Sequence, residues 1–324
     1  MKIIFLLLLI GLGFIGYISE NTAYSLAYFP PPLKQIASGT APENVTCAEG
    51  LQIIIKKSSG MPACVKPGSI SALIERGWGI HVLPDYIKDE NNNSEIFDDG
   101  SYSITTENVN YSGDYVGFLA QPEAPGSYPG IVMIHEWWGL NDNIKQMAKH
   151  LASHGYIVLA IDLYGKEPAT TTDEARQLMS SYDLEGGIIN MNDAANFLLE
   201  NYQVNNLGSI GWCFGGGQSL NLALNNDNLN ATVIYYGQLT TDESQLSSIK
   251  GPVLGIFAGL DQGIPVGTVN KFEMSLNNLG IENEIYIYPG VNHAFANPSG
   301  MSYAPEETKD AWKKTIIFLE EHLK

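Results

Sequence analysis

Five residues, Gly211-Trp-Cys-Phe-Gly215, constrain the fold of this chain more than any other stretch. An apolar run at 208–211 leads straight into a residue with glycine two positions away on each side, and a helical pattern at 214–225 follows. Glycines at those places permit a sharp strand-to-helix turn that lifts the Cys213 side chain above a sheet, with the positive end of the helix behind it. That field is expected to favour the thiolate, the nucleophilic form of cysteine. A strand, turn and helix in this order belong to a mostly parallel sheet covered by helices.

The chain after residue 100 carries that pattern throughout. Short apolar runs predict strands at 131–134, 157–161, 208–211, 231–236, 253–258 and 284–288, and helical periods predict helices at 185–201, 214–225, 267–279 and 307–323. Between the first two strands, Ile144, Met147, Ala148 and Leu151 recur at helical offsets, with Asp142 expected as the cap and Gly155 as the stop. The fold class is therefore α/β: a doubly wound, mostly parallel sheet of the α/β-hydrolase type, preceded by a small N-terminal module. In such sheets the base and the acid that serve the elbow nucleophile follow it in chain order, on loops after later strands. Asp261 follows the strand at 253–258, and His293 follows the strand at 284–288. The expected roles are a Cys213 nucleophile, a His293 base and an Asp261 carboxylate that fixes the imidazole tautomer.

Residues 100–324 resemble the dienelactone hydrolase (carboxymethylenebutenolidase) family. The resemblance rests on Ile134-His-Glu-Trp-Trp-Gly-Leu140, Asp162-Leu-Tyr-Gly165, Tyr182-Asp-Leu-Glu-Gly-Gly187, the cysteine elbow and the Asp261 and His293 loops. It implies that Glu136 contacts the resting thiol and moves when substrate binds. It also implies an oxyanion hole built from the backbone N–H groups of Phe214 and Trp137, and no cofactor or metal. Trp138, Arg176 and Phe295 are expected to line the substrate pocket. One departure bears on substrate: the family enzyme for dienelactone uses arginines to hold a carboxylate, one of them four residues after the histidine, where this chain has Asn297. The expected activity is hydrolysis of small esters or lactones through an acyl-cysteine. The alternative is a catalytically idle extracellular binding protein that keeps the fold.

The N-terminus bears on location. Lys2 precedes an apolar run at 3–18 with no charge before Glu20, which reads as an export signal at 1–27, either cleaved near Ala23 or Ala27 or retained as a membrane anchor. The proline run after it suggests a spacer, and 88–100 is a polar linker. Residues 28–99 hold Cys47 and Cys64, and resemble a small module of exported archaeal proteins through Val45-Thr-Cys-Ala-Glu-Gly50 and Pro62-Ala-Cys-Val-Lys-Pro67. In an exported chain these two cysteines would form a disulfide; two unpaired buried thiols are the alternative. Extracellular placement, or anchoring at the outer face of the cytoplasmic membrane, is expected. With 35 acidic against 17 basic side chains, a net charge of −18 and only Arg76 and Arg176 for bidentate phosphate contacts, nucleic-acid binding is excluded as a function.

Overall fold

The computed structural model describes residues 100–324 without interruption and, before them, residues 30–38, 40, 45–48, 51–56, 61–66, 69–70, 73, 76–81 and 97. The expected signal at 1–27 and most of the linker at 88–100 lie outside the described residues. The chain divides into two compact units, Met1–Pro84 and Asp85–Lys324.

The smaller unit begins with a one-turn helix, α1 (Pro32–Ala37), whose first position is a proline, where the missing N–H costs nothing. Gln35 is buried, donates to the Thr46 carbonyl at 2.6 Å and accepts from the Thr46 N–H at 2.8 Å, tying the helix to the stretch that holds Cys47. Strands β1 (Gln52–Lys56), β2 (Pro62–Val65) and β3 (Gly79–His81) form an antiparallel sheet in the order β2-β1-β3. Cys47 and Cys64 are joined in a disulfide, with their Cα atoms 5.6 Å apart. Ile54 and Ile70 are its fully buried aliphatic residues among those described, so the cross-link compensates for a small core.

In the larger unit, a hairpin of β4 (Ile104–Ser112) and β5 (Tyr115–Pro122) precedes β6 (Gly130–Ile134), α2 (Asp142–Ser153) and β7 (Ile157–Ile161). Then follow α3 (Thr172–Ser180), α4 (Leu184–Asn201), β8 (Leu207–Trp212) and α5 (Phe214–Asn225). The chain ends with β9 (Leu229–Tyr235), α6 (Glu243–Leu246), β10 (Val253–Ala258), α7 (Val266–Asn278), β11 (Asn283–Tyr288) and α8 (Pro305–Leu323). The eight strands lie in the order β11-β10-β9-β8-β6-β7-β5-β4. From β11 to β7 every neighbouring pair is parallel, and β5 and β4 add an antiparallel edge.

The reason for this arrangement is visible in burial. Every residue of β6, β7, β8 and β10 is buried, which a strand achieves only when helices cover both faces of the sheet. One face packs Ile144, Met147 and Leu151 of α2 and Trp312 and Leu319 of α8; the other packs Met191 and Leu198 of α4 and Phe272 of α7. Two expectations are corrected in detail. Helix α2 is capped by Asn141, whose side chain accepts from the Ile144 N–H, because Asp142 already has helical geometry. The core of the larger unit also starts before residue 100: Phe97 is buried, its ring edge-on to Trp312 at 5.2 Å.

Candidate active site

The turn between β8 and α5 holds Cys213 at φ 55° and ψ −117°, a strained conformation for any residue with a side chain. The flanking glycines explain how it is tolerated. A Cβ on Gly211 would lie 2.1 Å from the Gly215 carbonyl oxygen, and one on Gly215 would lie 2.4 Å from the carbonyl oxygens of Ile134 and His135. Only hydrogen fits at either place. The Cys213 N–H donates to the Tyr235 carbonyl at 3.0 Å, so β9 anchors the turn.

The loops after β10 and β11 bring their two side chains to the same spot. His293 Nε2 lies 3.0 Å from Cys213 Sγ, and His293 Nδ1 lies 2.6 Å from Asp261 Oδ2. The other carboxylate oxygen of Asp261 accepts from the backbone N–H groups of Gly263 and Ile264 at 2.8 and 3.0 Å, so the carboxylate is fixed before it meets the imidazole. The Asp261 side chain is 2% exposed and that of His293 is 37% exposed, which leaves one face of the imidazole open to a substrate. Such a line of sulfur, imidazole and carboxylate can move a proton off the sulfur and stabilise the imidazolium that results. Tyr236, directly after β9, packs its ring against His293 with centroids 5.1 Å apart, and nothing in its local spacing marked it for this place.

Glu136 follows β6 and is 3% exposed. It accepts a hydrogen bond from Asn297 Nδ2, while the Asn297 side-chain oxygen accepts from the N–H and hydroxyl of Ser299, so the orientation of the amide is set. Burial raises the Glu136 carboxyl to about 7, and the single neutral donor Asn297 offsets only part of that effect. The thiol differs from expectation. Burial and the nearby negative charge of Glu136 push Cys213 up to about 12, against the lowering effect of the Phe214 and Trp137 backbone N–H groups that point at the sulfur. The field of the α5 N-terminus is outweighed, and at neutral pH the sulfur rests as a thiol.

A cavity of about 750 Å³ opens beside Cys213 and His293. Three expected pocket residues are elsewhere. Phe295 is fully buried in the core between Tyr236 and Tyr288, because the chain turns inward after Ala294, which has φ 61°. Arg176 points to solvent from α3, 62% exposed and paired with Asp173 in the first turn of its helix. Trp138 is half-buried, packed edge-on to Trp137, and does not reach the cavity. Among the described residues, no group of three or more His, Cys, Asp or Glu is arranged to hold a metal ion.

A family model for the dienelactone hydrolase family matches residues 116–323. The chain belongs to the dienelactone hydrolase family. A candidate carboxymethylenebutenolidase of Saccharolobus solfataricus is 31% identical over 246 residues, covering 62% of this chain and 92% of that protein. Protein usf of Aquifex pyrophilus is 31% identical over 219 residues, covering 64% of this chain and 93% of its own length. The crystal structure of a candidate dienelactone hydrolase from Klebsiella pneumoniae superposes with a TM-score of 0.63 at 24% identity, over 68% of this chain and 99% of that one. A dienelactone-hydrolase-like promiscuous phosphotriesterase from metagenomic libraries superposes with a TM-score of 0.62 at 23% identity, over 68% of this chain and all of that one. These two structures share the α/β-hydrolase fold with the chain. As a dienelactone hydrolase family member the protein is a hydrolase, and the matched region contains every residue of the site just described.

Proposed function

We propose that the protein hydrolyses uncharged carboxylic esters or lactones through a Cys213-His293-Asp261 triad and an acyl-cysteine intermediate. The observation that carries this reading is the unbroken line from Asp261 through His293 to the Cys213 sulfur, at 2.6 and 3.0 Å, in the wall of a cavity. Sγ bonds to the carbonyl carbon while the thiol proton passes to His293 Nε2. The carbonyl oxygen takes the electron pair and is held by the Phe214 and Trp137 N–H groups, which already point at the sulfur. Collapse breaks the ester carbon–oxygen bond, and His293 returns the proton to the leaving alkoxide. Water then gives a proton to His293 and its oxygen to the acyl carbon. Cleavage of the carbon–sulfur bond releases the acid and restores the thiol.

Glu136 controls the first step electrostatically. Its charge beside the sulfur disfavours the thiolate, so attack requires that the carboxylate move away or take a proton. An uncharged substrate is favoured because Arg176 faces solvent and Asn297 binds Glu136. The test is hydrolysis of a panel of aryl acetates, lactones and dienelactone by the full chain beside Cys213→Ala. Turnover lost in the variant supports the thiol enzyme. Turnover indifferent to Cys213, or none at all, leaves the idle binding protein as the better reading.

We also infer export. The apolar run at 3–18 behind Lys2 and the Cys47–Cys64 disulfide support an oxidising compartment outside the cytoplasm. Fractionation of producing cells tests this: recovery of the chain with the cytoplasmic thiols reduced would overturn it.

A further inference from the structure

The cavity beside Cys213 continues well past the sulfur, along one face of α5. Phe214, Gly217, Gln218, Asn221 and Leu224 line it, and their spacing puts them on one stripe of the helix. From Cys213 to Leu224 that stripe runs about 16 Å at the helical rise per residue. Leu239, in the loop after β9, and Ile264, in the loop after β10, face the same space. Polarity is graded across the cavity. Its buried lining includes Leu220, Ile264 and Gln218, whose side-chain oxygen is taken up by Tyr182 and Asn221, while Gln238, Gln245, Gln262 and Asn292 stand exposed at the rim. Met179 and Leu260 flank the mouth, 42% and 49% exposed, apolar side chains placed where an entering chain would cover them. No lysine or arginine lines the cavity among the described residues, and its one carboxylate, Asp261, is committed to His293. A substrate anion there would be desolvated without a partner. A volume of about 750 Å³ suits a ligand much larger than a five-membered lactone.

The geometry points to an uncharged ester of a medium-chain acid as the substrate, with its acyl chain lying along α5 and its polar end among the rim carboxamides. This rests on the thiol-hydrolase reading given above.

The test is the hydrolysis by the full chain of p-nitrophenyl acetate, butyrate, octanoate and dodecanoate, with the monoester of a dicarboxylic acid as the charged counterpart. Each methylene buried in the transition state is worth roughly fourfold. The expected kcat/KM for octanoate is therefore at least about tenfold above that for acetate, with the charged ester below both. Gly217 offers a way to obstruct the groove, since the nearest atoms to a Cβ there are the Gln238 backbone N at 3.3 Å, its Cβ at 3.4 Å and its carbonyl oxygen at 3.6 Å. Gly217→Leu is expected to bring the octanoate-to-acetate ratio to about one. Leu224→Gln, at the far end, is expected to lower the dodecanoate ratio more than the octanoate ratio. Calorimetry of octanamide and acetamide binding to Cys213→Ala reads the groove without turnover, and octanamide should bind more tightly. Cys213-dependent turnover that favours acetate, with octanamide binding no tighter than acetamide, overturns the acyl groove. Tight octanamide binding with no Cys213-dependent turnover supports the groove and overturns the hydrolase mechanism instead.

Discussion

Glu136 is buried beside the Cys213 sulfur with one neutral donor for company, and its proton balance has a measurable sign. An unfolded chain releases that proton near pH 4.5, and the folded chain releases it near about 7. Between those values the folded state holds the extra proton, so the contribution of Glu136 to stability is fully present below about 4.5 and is lost as pH rises toward about 7. The swing is on the order of 3 kcal/mol. Glu136→Gln should remove it; urea midpoints of both proteins across that window measure the slope, and an unchanged slope would assign the proton elsewhere. The same variant removes the charge that raises Cys213, so iodoacetamide should alkylate it faster at neutral pH than the parent chain. Asp261→Asn should lower kcat by roughly 10³-fold or more with little change in KM, because the imidazole loses the partner that sets its tautomer. Cys213, Asp261 and His293 were legible because glycine flanks and chain order are written locally. The Glu136–Asn297 bond joins residues 161 positions apart, which leaves no spacing to read. Trp138 and Arg176, expected at the pocket, stand away from the cavity, and Phe295 does so because the backbone at Ala294 turns it into the core.

At the scale of elements, the buried strands were the easy part. Continuous apolar runs such as 157–161 occur where both faces of a sheet are covered, and β7 occupies those residues. The edge hairpin was not legible. Strand β4 is largely exposed and carries Thr, Glu and Asn at its centre, and β5 is interrupted by Gly117, so neither has the alternation of a half-buried strand. Helix α3 buries only Ala175, too little for an apolar stripe, although its capping box of Thr171 and Glu174 is a sequence signal in its own right. Two substitutions separate end effects from turn effects. Asn141→Ala should cost about 1 kcal/mol of unfolding free energy, the worth of an ordinary cap. Gly211→Ala should cost about 3 kcal/mol or more, since its methyl would collide with the Gly215 backbone rather than with a side chain that can yield. Equal midpoint shifts for the two in urea would mean that the elbow relaxes more easily than its geometry implies.

For the whole molecule, division into two units means that the two kinds of cysteine answer to different chemistry. Cys47→Ser should destabilise the smaller unit by roughly 2–4 kcal/mol, the usual worth of a short cross-linked loop. Ester hydrolysis by the larger unit should persist in that variant; its loss would show that the smaller unit is needed for activity. The order of strands has a consequence in time as well. His293 sits in the loop after β11, an edge strand that among the described residues pairs with β10 alone, whereas Cys213 follows β8 in the middle of the sheet. Activity on refolding therefore requires the edge of the sheet to be in place as well as its centre, and the return of activity after dilution from urea, timed against tryptophan fluorescence, reads when that edge docks.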